Sequence, residues 1–280
     1  MPVVPVDSSK LSDTESIKIC VMRYFALPKK FFALNLDEKK KHCGARGRGY
    51  ELIGSQALEP GTKPDLKEGY FVGRDDPTRK PPFRDFEHPN VWPTTAIPDV
   101  EFKNPLVEYH KALSALSNQM MKLLARGLSG MDLNTDIIND FCHEPVASVR
   151  LLHYPPHPQD HDPELRGAGA HTDFGAITLL LQDVGSGLQV LNQKSLEWID
   201  VPPNKYAYVV NVGDMLSYWT KGQYLSNIHR VINTSGTDRY SVPFFFDGNL
   251  DCELRALDGS NGKVLTVSDH LHAMYEKVYV

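Results

Sequence analysis

His171, Asp173, His229, Arg239 and Ser241 are the residues of this 280-residue chain whose types and spacing could do chemistry. The first two stand two apart in GAGAHTDFGAITLLLQD, just ahead of the most apolar run in the sequence. Side chains at i and i+2 of a strand share a face, so a strand here would offer an imidazole and a carboxylate to one point in space. His229, in SNIHRVIN, lies 56 positions after Asp173, far enough for the chain to return beside the pair. Two histidines and one carboxylate on one face bind iron(II) and leave three positions open. Zinc prefers four protein ligands, or three with a water for hydrolysis. On spacing alone a second reading stands level: a hydrogen-bonded turn at 171–173 and a satisfied core histidine at 229.

DRYSVPFFF adds a second constellation. Arg239 and Ser241 would also share a strand face. A guanidinium with a hydroxyl beside it clamps a carboxylate, and an inward arginine in so apolar a strand is costly without an anion. A metal with open positions and a nearby anion clamp imply a dicarboxylate that chelates with one end and is anchored by the other.

The elements that must position these residues lie mostly after Pro145. VASVRLLHY, AITLLLQ, GLQVL, EWIDV, YAYVVNV, DMLSYW, NIHRVIN and YSVPFFFD are short, rich in β-branched and aromatic residues, and separated by turn residues. About eight such strands predict a double-sheet jelly roll. Before them, SIKICVMRYFALPKKFFALNLDEKKKH reads as helix broken at Pro28, with Lys39–Lys41 on a solvated face. Glycine and proline from Gly44 to Pro98 predict loops, and GARGRGYELIG lacks the spacing and leading strand of a nucleotide loop. NPLVEYHKALSALSNQMMKLLARGLSG is the clearest helix, capped by Asn104 and ended by Gly127 or Gly130, with Met120 and Met121 in the core. SDHLHAMYEKVYV returns to helix.

Composition excludes some classes. With 41% apolar residues, 23% charged and a net charge of −5, no basic excess points to nucleic acid. No segment approaches the apolar length of a membrane helix, and the start carries no signal pattern. Cys20, Cys43, Cys142 and Cys252 are far apart and read as reduced thiols of a cytoplasmic protein. The sequon Asn233-Thr234-Ser235 reads as chance, and His153, His157 and His161 as solvated residues of a proline-rich loop.

The pattern HxD…H…RxS, here His171-Thr172-Asp173, His229 and Arg239-Tyr240-Ser241, resembles the iron(II)/2-oxoglutarate-dependent dioxygenase superfamily, in its isopenicillin N synthase-like branch. GLQVL, WIDVPP, YVVNVGDMLSYWTKGQYLSNIHRV and RYSVPFFF follow that family's order over residues 145–250. FFALNLDEKKK, RGYELIG and KEGYFVG resemble its N-terminal region more loosely. The resemblance implies an α+β fold: a double-stranded β-helix flanked by helices. It divides the chain into an N-terminal helical and loop region (1–144), the jelly-roll core (145–250) and a C-terminal extension (251–280).

By the same resemblance, His171, Asp173 and His229 hold Fe(II), while Arg239 and Ser241, assisted by Tyr154, hold 2-oxoglutarate. With O₂, oxidative decarboxylation to succinate and CO₂ is coupled to oxidation of a C–H bond in a small organic molecule. Thr172 and Phe174 pack. Arg48, Tyr50, Tyr70, Phe244 and Phe246 are candidates for the substrate pocket, the two phenylalanines being expected on the face of Arg239 and Ser241 unless Pro243 introduces a bulge. The chain is expected to act as a monomer or weak homo-oligomer, without nucleic acid or membrane. Two departures from the family stand out: Leu152 occupies a position where many members carry asparagine, and the chain starts late, without the usual leading strand. A same-fold iron oxidase not using 2-oxoglutarate and a non-catalytic relative are the alternatives.

Overall fold

Arg239 and Ser241 sit on a strand that runs through the middle of a six-stranded sheet, and the rest of the fold is arranged around it. The computed structural model describes residues 24–128, 135–157, 165–204, 206–233, 235–255 and 265–278. In chain order the elements are α1 (residues 24–32), α2 (Leu36–Lys40), β1 (Gly49–Glu51), β2 (Glu68–Gly73), α3 (Lys103–Arg126) and α4 (Thr135–Phe141). They continue with β3 (Val146–Tyr154), β4 (Ala168–His171), β5 (Ile177–Gln182), β6 (Leu188–Leu191), β7 (Trp198–Asp200) and β8 (Tyr208–Val212). The last are α5 (Asp214–Trp219), β9 (His229–Val231), β10 (Arg239–Gly248) and α6 (Val267–Val278). The major sheet has the order β1-β2-β3-β10-β5-β8 and the minor sheet β4-β9-β6-β7, all antiparallel. This is the expected jelly roll.

Strand alternation divides the major sheet into two faces. The outer face carries Val149, Leu151, Leu179, Leu181, Val242, Phe244 and Phe246, which pack with Tyr109 and Leu113 of α3 and Phe31 of α1 in the main core. The inner face looks toward the minor sheet and carries a smaller apolar cluster of Leu152, Tyr154, Ala168, Leu188 and Val231.

Pro243 does not bulge β10. Ser241 pairs with Leu152 and Phe244 with Val149, the same register on both sides of the proline. Counting in twos from Arg239 therefore reaches Ser241, Pro243 and Phe245. Phe244 and Phe246, each 0% exposed, lie on the opposite face, and the expectation that they share the face of Arg239 is corrected.

Other expectations shift for local reasons. Pro28 lies inside α1, because a proline removes one backbone donor and burial of Leu27, Phe31 and Phe32 offsets it. DMLSYW forms α5, not a strand: Met215, Leu216 and Trp219 are buried at helical spacing, and Gly213 starts the turn. Residues 49–51 and 68–73, read as loop, form β1 and β2 and extend the major sheet beyond β3. Helix α3 begins at Lys103, with Phe102 rather than Asn104 before it, and ends at Gly127. Lys39 is buried and pairs with Glu68 at 2.7 Å, so the lysine run is not wholly solvated. His153 is held between Glu68 and Asp238 at 2.7 and 2.8 Å, and His157 bonds the Leu165 carbonyl. Asn233 of the sequon is buried, its amide donating to the carbonyls of Tyr154, Pro155 and Thr237. His161, Cys20 and the expectation of an absent leading strand fall outside the described residues.

The face assignment is testable in one pair of variants. Phe244→Ala is expected to cost about 3–5 kcal/mol in chemical denaturation. Phe245→Ala, on the cavity side, is expected to cost less than half as much.

Candidate active site

The two histidines meet because β4 and β9 pair antiparallel with His171 opposite His229. Their ring centroids are 4.3 Å apart. Asp173 is not on the strand: β4 ends at His171, and the carboxylate arrives from the extended turn that follows. Donor atoms of His171, Asp173 and His229 all lie within 4.8 Å of one another, and His229 Nε2 is 3.7 Å from Asp173 Oδ1. Among the described residues this is the cluster of three or more such side chains that could hold a metal ion.

Backbone and side-chain hydrogen bonds fix what each ligand offers. The Nδ1–H of His171 donates to the Gly169 carbonyl at 2.7 Å and that of His229 to Asn227 at 3.2 Å, which leaves both Nε2 atoms for a metal. Burial, reinforced by the neighbouring His229, holds the His171 imidazole neutral, its pKa pushed down to about 3. Burial works the other way on Asp173, but His229 and bonds from Asn211 and Thr178 outweigh it and keep the carboxyl below its usual range.

Asn211 Nδ2 donates to Asp173 Oδ2 at 2.7 Å, so Oδ1 faces the histidines. The turn is stitched to α5: the Asp214 N–H donates to the Asp173 carbonyl at 2.8 Å, and Thr172 Oγ1 donates to Asp214 Oδ2 at 2.9 Å. A Cβ on Gly213 would lie 2.2 Å from the Gly175 carbonyl, so only glycine allows this approach.

Inner-face residues of the major sheet line a cavity of about 80 Å³ that reaches from this cluster to Arg239 and Ser241. Arg239 is 1% exposed; its guanidinium carbon lies 4.9 Å from the Tyr154 ring centroid, and its Nη2 donates to Gln182 Oε1 at 2.9 Å. Among the described residues, Nε and Nη1 of Arg239 are buried with no partner. Ser241 lies beside it on the same face, opposite Leu152 and Gln182. A second cavity of about 60 Å³ shares His171 and Asp173 and is walled by Phe71, Arg150, Phe174, Phe245, Asp247, Leu271 and Tyr275.

Three of the pocket candidates lie elsewhere. Tyr50 is buried in the core and donates to Glu68 at 2.6 Å. Tyr70, opposite Leu151 on the outer face, bonds the Val91 carbonyl. Arg48 donates to the backbone carbonyls of Gly47, Phe86 and His88. None lines either cavity. Sequence reasoning missed Asn211, Gln182 and Phe245. A polar residue inside YVVNV and another ending AITLLLQ were the available signals.

A jelly roll with a two-histidine, one-carboxylate cluster and a buried, partly unpartnered arginine on the facing strand fits a class of non-haem iron oxygenases. The comparisons agree. A profile of the 2OG-Fe(II) oxygenase superfamily matches residues 145–248, and one for the N-terminal region of non-haem dioxygenases in morphine synthesis matches residues 20–95. The chain is 47% identical over 259 residues to the 2-oxoglutarate-dependent dioxygenase citB of Monascus ruber, covering 88% of this chain and 78% of that protein. It is 44% identical over 273 residues to the 2-oxoglutarate-Fe(II) type oxidoreductase hxnY of Emericella nidulans, covering 92% and 77%. A full-length Neurospora crassa protein, solved in complex with alpha-KG and thymine, superposes with a TM-score of 0.78 at 26% identity, over 96% of this chain and 86% of that one. A 2OG-Fe(II) oxygenase family protein from Caulobacter crescentus gives 0.76 at 30% identity, over 95% and 87%.

The chain belongs to the 2OG-Fe(II) oxygenase superfamily. It is a 2-oxoglutarate-dependent oxygenase that uses iron(II), and the donor set and orphaned guanidinium described above fit both groups. No helix among the described residues is long and apolar enough to cross a membrane.

Asn211→Leu is expected to lower iron(II) affinity 10–100-fold, since it removes the partner that orients Asp173. Competition titration against a chelator reads this directly. A change below twofold would mean that the turn alone orients the carboxylate.

Proposed function

We propose that Nε2 of His171, Nε2 of His229 and Oδ1 of Asp173 hold the iron, that Arg239 and Ser241 anchor the far carboxylate of 2-oxoglutarate, and that a C–H bond of a small organic molecule is oxidised with release of succinate and CO₂. The observation that carries this reading is Arg239: a buried guanidinium with two unpartnered nitrogens on the wall of the metal cavity. An uncompensated buried charge is costly, so the strand is built for an anion. Gln182 accepts from Nη2 and Tyr154 covers the guanidinium face, which leaves Nε and Nη1 as donors for the ligand.

With 2-oxoglutarate and O₂, the iron supplies the oxidising chemistry; the chain binds, orients and excludes water. Leu152, Leu188 and Val231 keep the cavity between clamp and ligands apolar. The adjoining cavity supports a compact substrate held among Phe71, Phe174 and Phe245, with Gln56, Arg150, Thr172 and Asp247 among its polar groups. That the Neurospora crassa protein was solved with thymine supports a ring of that size. Hydroxylation is the default outcome; desaturation and ring formation use the same centre. The intact clamp disfavours an oxidase without 2-oxoglutarate and a non-catalytic relative. The free thiols of Cys43, Cys142 and Cys252 support a cytoplasmic location.

Anaerobic titration with iron(II) and then 2-oxoglutarate tests the assignment through the visible band of the chelate. His171→Ala is expected to abolish the band. Arg239→Ala should leave iron binding intact and weaken 2-oxoglutarate roughly 10–100-fold, the equivalent of one or two charge-assisted hydrogen bonds. Iron bound without any band in the parent protein would overturn the cosubstrate assignment.

A further inference from the structure

Asp247 is the last inner-face residue of β10 before its terminal glycine, and it lines the second cavity together with His171 and Asp173. Among the described residues, no hydrogen bond or ion pair reaches its carboxylate. Charged groups on the same walls are engaged elsewhere: Asp173 accepts from Asn211, and Nη2 of Arg150 donates to Glu51 and Gln56. The rings of Phe71, Phe174, Phe245 and Tyr275 make up much of the remaining wall. A carboxylate held among aromatic rings without a donor is costly.

The backbone is shaped to put it there. Phe246 pairs with Ala147 and Gly248 with Val146, so Asp247 is the extra residue of a bulge and has no partner on β3. The ladder with β5 ends one residue earlier, at Phe246–Ile177. Gly248 completes the bulge at φ +86°, where a Cβ would lie 2.1 Å from the Phe141 ring. Opposite, a Cβ on Gly175 would lie 2.0 Å from Asp247 Oδ1, so the turn that carries Asp173 leaves room for this carboxylate. The acceptor thus stands beside a metal ligand, in a space sized for a ring.

We propose that Asp247 determines substrate choice: it accepts a hydrogen bond from an N–H or O–H group on a compact ring and turns away rings that carry a carboxylate. This rests on the reading of the second cavity as the substrate pocket. The aromatic walls bind any flat apolar ring, so discrimination falls to the one polar contact, and a ring without the donor leaves the carboxylate unpaired. An anionic ring adds like-charge repulsion.

The test is calorimetric titration, without oxygen, of protein loaded with iron(II) and 2-oxoglutarate. The probes are phenol with anisole, indole with 1-methylindole, 2-pyridone with 1-methyl-2-pyridone, and benzoate. In the parent, methylating the donor is expected to weaken binding by roughly tenfold or more, and benzoate is expected not to bind. In Asp247→Leu, each methylated ring should bind within about threefold of its donor-bearing partner, with 2-oxoglutarate affinity unchanged. A methylation penalty absent from the parent, or one that persists in Asp247→Leu, overturns the proposal. So does a parent that binds none of the rings. Should Asp247→Leu fail to fold, Asp247→Asn decides: it removes the charge, so the penalty should shrink and benzoate should bind, and no change in either overturns the proposal. Ring binding that is unaltered in Phe245→Ala would place the ring outside this cavity and sink the pocket reading beneath the proposal. A parent that binds iron but not 2-oxoglutarate would instead sink the cosubstrate assignment.

Discussion

The alternation of side chains along β10 is the constraint on which the molecule depends. Val242, Phe244 and Phe246 close the main core on one face, while Arg239, Ser241, Pro243 and Phe245 wall the cavity on the other. Because the register against β3 and β5 holds through Pro243, the inner faces of those strands follow without freedom: Leu152 and Tyr154 on one side, Leu180 and Gln182 on the other. A slip of one residue would place the guanidinium in the core and three aromatic rings in the cavity. The apolar face is what makes that slip prohibitive, so the core enforces the position of the charge.

The candidate metal ligands are held differently. Two stand opposite each other in the minor sheet, and the third depends on a turn that is bonded to the start of α5 and to Asn211 on β8. Strand pairing thus places the imidazoles, while side-chain and helix-terminus hydrogen bonds place the carboxylate. The site joins both sheets, and its geometry exists only once they face each other.

Much of the site is legible in the chain because it is local. HxD, His229 and RxS are short spacings of distinctive residue types, and the strands that carry them have plain β composition. What escapes reading is set by distance or parity. Asn211 meets Asp173 across 38 residues and Gln182 meets Arg239 across 57, and neither separation leaves a local pattern. Phe244 and Phe246 are easily read onto the wrong face, although alternation from Arg239 excludes even positions. Tyr50 and Tyr70 read as loop residues because β1 and β2 are short and lie among glycines, and their true environment comes from the pairing of β1 with β2 and of β2 with β3. DMLSYW has strand-like composition, yet the spacing of Met215, Leu216 and Trp219 is that of one helical turn.

The bond between β2 and β3 also governs how this protein can change over time. The two matched profile segments, residues 20–95 and 145–248, meet along a ladder running from Glu68–His153 to Gly73–Ser148. Lys67 and Phe71, from the first segment, face the same cavities as residues of the second. The seam between the segments therefore passes through the candidate site, not beside it. Neither segment can be exchanged as a cassette, and drift in one must be answered by drift in the other.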